Sequence, residues 1–462
     1  MRLLQLYPTV VVAVVTLIHL TIQVHGLVWN NLFNMKKSLS SARLLPVLTI
    51  DPGQLPSWED LQSKAHQTIT GQRMHREKEL RAEGRGSPHT NAKVRLFNSS
   101  SSGPPPTLTF YRDTAAWCPY CQKVWIFLEE KQIPYVVEKI NMRSYGDKPK
   151  EFLQLVPNGL LPAIKLNGQV QTDSLQIMMT LEATYQGVHH RRMWPSESSA
   201  PEELKRAKKL MQLERELFSA WCGLVFRPSM GAGSRKYFEQ CLDEVDRELT
   251  VSDGPWFLPY LSIIDLTYIS HVERMCASVP YWAGFKVRGH GRWPNIERWM
   301  DAFEALPSYM ATKSDYYTHV KDIPPQYGPG YAVPGSEGLS RSIDGEAGHW
   351  ELPLPPFGAT DVEPVSPSID PGETAAREEA ACCLLANYEA VVKFALRGAG
   401  SPGAKRFQVE CGVVRTLEPS PLVRSHQSDV VDRSMDRCLH RLHWLTPMRS
   451  PTSGSSTTWI AA

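Results

Sequence analysis

Two cysteines separated by two residues, Cys118-Pro119-Tyr120-Cys121, have the types and spacing that can do chemistry in this chain. They follow a β-prone run over 107–112, at the point where a helical pattern begins. The first N–H groups of a helix lack partners and its dipole is positive there, so a sulfur at that place is favoured as a thiolate. This makes Cys118 the expected nucleophile. Cys121 lies one turn further on, close enough to resolve a mixed disulfide. Pro119 fits the first turn, where its missing N–H costs nothing. A lone CxxC is a weak signal, and here the strand–turn–helix context strengthens it. A structural metal would need more ligands, and no second CxxC exists, so no metal is expected.

The elements that must hold these sulfurs read as a small α/β unit. After the run at 107–112, Val124, Phe127 and Leu128 form one helical face, and 134–138 is a second strand candidate. Runs at 163–166 and 169–171 flank Asn167-Gly168, a strong hairpin signal. Residues 172–182 are helical in composition. The order is strand, helix, strand, helix, strand, strand, helix, which is the thioredoxin-like order. Helical faces follow: Leu204, Ala207, Leu210, Met211, Leu217, Phe218 and Trp221, then Phe238, Cys241, Leu242, Val245 and Leu249, then Ile296, Trp299, Met300 and Phe303. Ser262-Ile263-Ile264-Asp265 is a capping-box pattern.

Length and charge set the wider frame. The chain has 462 residues, too many for one compact core. With 50 Lys+Arg against 48 Asp+Glu there is no global pull toward nucleic acid, and no such partner is expected. Nine cysteines in this length do not make a secreted disulfide scaffold. No acid precedes Asp51, and an apolar stretch over 10–18 is followed by the basic, Ser-rich 35–43. A signal segment followed by a transit-like one points to plastid import, with secretion or an N-terminal signal anchor as alternatives. The mature form is not expected to span a membrane.

The expected divisions are a presequence at 1–50, a polar extension at 51–106 in which 58–82 suits a helix, and a thioredoxin-like α/β domain at 107–187. An all-helical domain at 188–321 and a Pro-rich linker at 322–372, where ten of the 36 prolines cluster, come next. A small helical extension at 373–446 and a disordered tail at 447–462 complete the chain. Ala376, Ala380, Cys383, Leu384, Tyr388, Val391 and Ala395 give the extension's first helical face, and Val431, Met435, Cys438, Leu439 and Leu442 its second. Cys222, Cys241, Cys276, Cys382 and Cys383 read as packing residues.

Residues 107–320 resemble a cysteine-type glutathione transferase, omega- or iota-like, with a thioredoxin-like N-terminal domain and an all-α C-terminal domain. In Leu160-Leu161-Pro162-Ala163 the resemblance implies a cis proline at Pro162 and a backbone pairing of Leu161 with the cysteinyl part of glutathione. In Thr172-Asp173-Ser174 it implies an acid and a serine holding the γ-glutamyl end, while either residue also suits a helix cap. Lys148 resembles a lysine placed near the glycyl end. The segments 116–125, 138–142 and 299–317 look like the iota-type plastid enzymes of algae and lower plants.

The resemblance implies an enzyme with glutathione as co-substrate, acting on a disulfide, glutathionylated or electrophilic small molecule, and a homodimer. Deglutathionylation and reduction of dehydroascorbate or glutathionyl-quinones are the expected reactions. Two other classes share the fold: a non-enzymatic binding module, as in an elongation-factor subunit, and a membrane-associated prostaglandin-synthase-like isomerase. The intact Cys118, Leu161-Pro162 and Asp173-Ser174 set weighs against the first. The acid-free leader weighs against the second.

Overall fold

The computed structural model of the chain describes residues 56–97, 105–142, 146–227, 232–346 and 372–389. The presequence, the tail from 390 onward with Cys438 and its helical pattern, and the bulk of the Pro-rich segment lie outside the described residues. The described residues fall into two units, one of 56–75 with 372–389 and one of 76–346.

The polar extension forms two helices where the sequence suggests one, α1 (Trp58–Gln67) and α2 (Ile69–Ala82). Ser57 and Asp60 close a capping box on α1, and Thr68 takes extended backbone and ends it. Gly71 follows where a Cβ would lie 2.0 Å from the Ala65 carbonyl oxygen, which excludes a larger residue in this packing.

A five-stranded mixed sheet carries the site. Its strands are β1 (Val94–Arg95), β2 (Leu108–Asp113), β3 (Tyr135–Ile140), β4 (Ala163–Leu166) and β5 (Gln169–Thr172), in the spatial order β1-β3-β2-β4-β5. β2 and β3 are parallel and the other pairs antiparallel. Between them run α3 (Pro119–Glu130) and α4 (Lys150–Leu155), and α5 (Ser174–Thr184) follows. Leu108 and Phe110 alternate inward on β2 and join Val124, Phe127 and Leu128 in one core. This is the thioredoxin-like order, extended by β1, which lies ahead of residue 107 in the segment read as a polar extension. Two residues are too few to show strand alternation. β1 is fixed by its pairing with β3 and by a buried bidentate pair, Arg95 to Glu129 at 2.7 and 2.8 Å.

The helical part comprises α6 (Pro201–Val225), α7 (Ala232–Glu248), α8 (Ile263–Ser278), α9 (Pro294–Glu304), α10 (Pro307–Met310), α11 (Tyr316–Tyr327) and α12 (Glu337–Ile343). Every residue of α8 is buried, so it is the axis on which the others pack. The expected inward faces of α7 and α9 are buried, as are Ala207, Leu210, Leu217 and Trp221 of α6. The box that starts α8 is present. Asp265 Oδ2 accepts from the Ser262 amide and hydroxyl at 2.9 and 2.7 Å, and Oδ1 accepts from the Phe257 amide and Trp299 Nε1, each at 3.1 Å.

The segment expected to be a linker from 322 instead packs through its described part, 322–346. Pro324 and Pro325 sit inside the last turns of α11, where each removes one intrahelical hydrogen bond, and Ile323 beside them is fully buried. Beyond them the Tyr331 and Val333 amides donate to the carbonyls of Val225 and Trp282. Gly330 lies so close to Trp282 that a Cβ would meet its ring at 2.3 Å. Asp344 accepts from Tyr281 Oη and Lys321 Nζ, which anchors the end of α12.

In the other unit, α13 (Glu373–Ala386) packs along α1 through Ala381, Leu384 and Leu385. Leu385's carbonyl accepts from Gln62 Nε2 at 2.8 Å, and Trp58 stacks on Tyr388. The face read from sequence is rotated: Cys383 and Ala380 are exposed, so Cys383 is not a core residue. Among the described residues, no helix is long and apolar enough to cross a membrane.

Asp265→Ala removes an acceptor for four hydrogen bonds in the core and leaves their donors unpaired. We expect a loss of about 3 kcal/mol or more, read as a lowered urea midpoint for the core. An unchanged midpoint would refute this role of the box.

Candidate active site

The sheet brings the sequence-predicted residues to one end. β2 runs toward Asp113, five residues before Cys118. β4 starts just after Pro162 and pairs Ala163 with Tyr111, so Leu161 and Pro162 lie at the same end as Asp113. β5 ends at Thr172 opposite Ala163 and leads into Asp173 and Ser174. β3 is parallel to β2, so the loop carrying Lys148 leaves from that end too. The Leu161–Pro162 peptide bond is cis.

Cys118 is the N-cap of α3, with Pro119 at its first helical position. The chain reaches it through Ala116, whose φ is +56°. Asp113 forms this turn: its Oδ2 accepts from the amides of Trp117 at 2.6 Å and Cys118 at 3.2 Å. Cys118 is 8% exposed and Cys121 1%, so Cys118 is the nearer of the two to solvent. Burial pushes the Cys121 thiol well above the ordinary range, and the neighbouring Cys118 adds to the effect.

Asp173 caps α5 from a φ of +70°, accepting from the Leu175 and Gln176 amides at 3.0 Å each, and it is itself exposed. The structure therefore gives Asp173 the cap role while leaving its carboxylate facing solvent beside the buried Ser174. Lys148 donates to the Asn141 carbonyl at 2.5 Å, and burial lowers its pKa. Its charge is within electrostatic reach of Cys118, Cys121 and Asp113.

Several groups at the site were not singled out from sequence. A closed ring of hydrogen bonds lies under Trp117. Trp117 Nε1 donates to His319 Nδ1 at 3.0 Å, and His319 Nε2 lies 2.8 Å from Glu273 Oε1. Gln122 Nε2 donates to Glu273 Oε2 at 2.8 Å, and its Oε1 accepts from Arg274 Nη1 at 2.8 Å. Arg274 Nη2 then donates to the Trp117 carbonyl. An indole N–H only donates, so His319 Nδ1 must be bare and the proton is on Nε2. Burial opposes the charge of Glu273, but His319, Arg274 and the Ser314 amide outweigh it and bring its pKa to about 2.

On the side facing α6 and α8, Tyr120 lies edge-on to His271 with ring centroids 5.4 Å apart. Lys123 Nζ lies 5.3 Å from the Tyr120 ring centroid and makes no hydrogen bond or ion pair with a described residue. Its burial lowers its pKa to about 8. His271 Nδ1 lies 2.8 Å from Glu214 Oε1, while its Nε2 is buried without a partner.

Asp113, Cys118 and Cys121 place a carboxylate oxygen and two sulfurs within 4.8 Å of one another, short of the four ligands a structural zinc takes. Asp113 stands one residue past the β-prone run at 107–112 and was not singled out from sequence.

With this geometry in place, the comparisons identify the family. A family model described as Glutathione S-transferase, N-terminal domain, matches residues 117–184. Glutathione S-transferase DHAR2 of Arabidopsis thaliana is 31% identical over 175 residues, covering 37% of this chain and 74% of that protein. Protein IN2-1 homolog A of Oryza sativa subsp. japonica is 23% identical over 236 residues, covering 50% and 92%. The solved glutathione transferase Omega 3C from Trametes versicolor is 24% identical, covering 46% and 91%, with a TM-score of 0.40. The chain belongs to the glutathione S-transferase family, which uses glutathione as co-substrate, and is an enzyme of that family.

The buried histidines set an acid limit on stability. In the unfolded chain a histidine takes up its proton near pH ~6.5. In the folded state burial, partly offset by Glu214, holds His271 neutral down to about 4. His319 is likewise lowered by burial. The unfolded state therefore binds more protons, and stability falls as pH drops below ~6.5, by roughly 1.4 kcal/mol per pH unit for each such histidine. Urea unfolding between about pH 7 and 5 should show this slope, with His271→Gln removing its share. A slope unchanged in that variant would count against a neutral buried His271.

Proposed function

We propose that the chain is a cysteine-type glutathione transferase, closest to the iota type, that works as a glutathione-dependent thiol transferase and reductase with Cys118 as nucleophile. One observation carries the reading. Cys118 heads α3 at the sheet end where Leu161-Pro162 and Asp173-Ser174 also lie, so a sulfur occupies the position against which a bound thiol would rest. A hydroxyl there would stabilise the glutathione thiolate for conjugation to an electrophile. A cysteine thiolate instead attacks sulfur.

In the proposed reaction Cys118 attacks a glutathionylated substrate at the glutathione sulfur. The substrate leaves reduced, and Cys118 is left in a mixed disulfide. A second glutathione, or Cys121, then displaces the bound glutathione. Leu161 would pair with the cysteinyl part of glutathione, Pro162 would hold that turn, Asp173 and Ser174 would bind the γ-glutamyl end, and Lys148 would lie toward the glycyl end. Deglutathionylation and reduction of dehydroascorbate or glutathionyl-quinones are the reactions this chemistry fits. The name of the Arabidopsis relative, DHAR2, supports a reductase. We further propose a homodimer, and plastid import directed by residues 1–50, which N-terminal sequencing of the mature protein would test.

The deciding experiment is mass spectrometry with peptide mapping after incubation with a glutathionylated substrate, alongside a thiol transferase assay. Cys118 should carry the glutathione adduct. Cys118→Ser should reduce the rate by roughly two orders of magnitude or more, as loss of a covalent nucleophile does. Cys121→Ser should be milder when glutathione is abundant. Retained activity in Cys118→Ser would refute Cys118 as the nucleophile.

A further inference from the structure

We propose that Asp113 is the buried base that takes the proton of Cys121, which makes the CxxC pair a two-thiol device able to release glutathione without a second external thiol. This rests on the reading of Cys118 as the nucleophile.

The geometry carries the assignment. Asp113 ends β2 directly beneath the turn into α3 and is wholly buried. Its two oxygens are used unequally. Oδ2 is occupied by the Trp117 and Cys118 amides. Oδ1 is buried and accepts no hydrogen bond. A buried carboxylate oxygen without a donor is costly, and such a group in a native fold calls for an explanation. A carboxylate oxygen of Asp113 and the two sulfurs lie within 4.8 Å of one another. A small approach, or one intervening water, completes a proton path at that separation.

The need for a base follows from chemistry. Only a thiolate attacks a disulfide, and Cys121 is enclosed where burial opposes its ionisation. The cations facing the pair are Arg112 on β2, Lys123 on α3 and Lys148 from the loop after β3. At neutral pH these cations can steady an anion but do not accept a proton while charged, and Arg112 already donates to the Asp113 and Thr90 carbonyls. Asp113 is left as the acceptor.

The step balances as follows. With Cys118 joined to glutathione, Asp113 takes the proton from Cys121. The Cys121 thiolate attacks Cys118 Sγ, the Cys118–Cys121 bond forms, and the Cys118–glutathione bond breaks. Glutathione leaves with the electron pair and takes the proton back from Asp113. The two enzyme thiols are oxidised, and the glutathionyl group is reduced. Two further glutathione molecules then reduce the enzyme and leave as oxidised glutathione.

The test is a single turnover of the reduced full chain with the mixed disulfide of glutathione and 2-mercaptoethanol, quenched and read by mass. The wild type should convert its Cys118 adduct quickly to the internal disulfide at neutral pH. In D113N, nearly isosteric and still able to cap the turn through its carbonyl oxygen, the adduct should decay at least tenfold more slowly. That decay should speed up steadily as pH is raised. In Cys121→Ser the adduct should persist at every pH. A D113N decay equal to wild type overturns the assignment. So does a decay slowed by the same factor at every pH, because that is the mark of a displaced turn, not of a missing base. A wild type that takes no adduct at all overturns the reading of Cys118, and this assignment with it.

Discussion

The placement of Cys118 depends on a buried ring of hydrogen bonds that runs from Trp117 through His319, Glu273, Gln122 and Arg274 back to the Trp117 carbonyl. It joins the turn before α3 to α8 and α11. Glu273 and Arg274 are adjacent in sequence, both are buried, and each is held by Gln122. An ion enclosed this way is costly unless it is paired and hydrogen-bonded, and breaking a buried pair typically costs about 3–5 kcal/mol. The ring is therefore close to all-or-none, and its geometry specifies where the Trp117 indole and carbonyl must sit. Arg274 also lies over the Trp117 ring, 4.9 Å from its centroid, so the residue before the nucleophile is fixed from three directions.

That constraint explains why the two structural halves act as one body at the site. The sheet end supplies Leu161-Pro162 and Asp173-Ser174, but the sulfur's approach is set from the helical side. α8 is buried along its whole length, so it cannot shift without disturbing the core, and its Ser262–Asp265 box fixes where it starts. The segment after α11 reinforces this by laying Gly330 against Trp282 and returning its amides to Val225 and Trp282.

What could be read from sequence was what is local. The strand and helix order, the Asn167-Gly168 hairpin and the capping box are encoded within a few residues, and the structure shows all of them. β1 could not be seen, because two residues have no period. The packing of 322–346 could not either, since prolines at the end of a helix and prolines in a linker look alike along the chain. The ring was invisible for a stronger reason. Trp117 and His319 are 202 residues apart, and Gln122 and Glu273 are 151 apart. A buried Gln or His carries no mark of its partner until the fold closes. At the CxxC motif, sequence located the sulfurs but not the carboxylate beneath them, because Asp113 stands one residue past the β-prone run with nothing to single it out.

The two sulfurs, three positions apart, are placed in different chemical settings by the same helix. Cys118 is the cap, the nearer of the two to solvent, where the start of a helix suits an attacking thiolate. Cys121 is one turn inside, against the core, where burial opposes its charge. A pair of equally exposed thiols would compete for the same electrophile. Separating them by depth lets the first meet the substrate while the second stays protonated and protected until a sulfur bond forms beside it. The same depth leaves Cys121 beyond the reach of solvent bases, so whatever activates it must already be built into the fold at the end of β2.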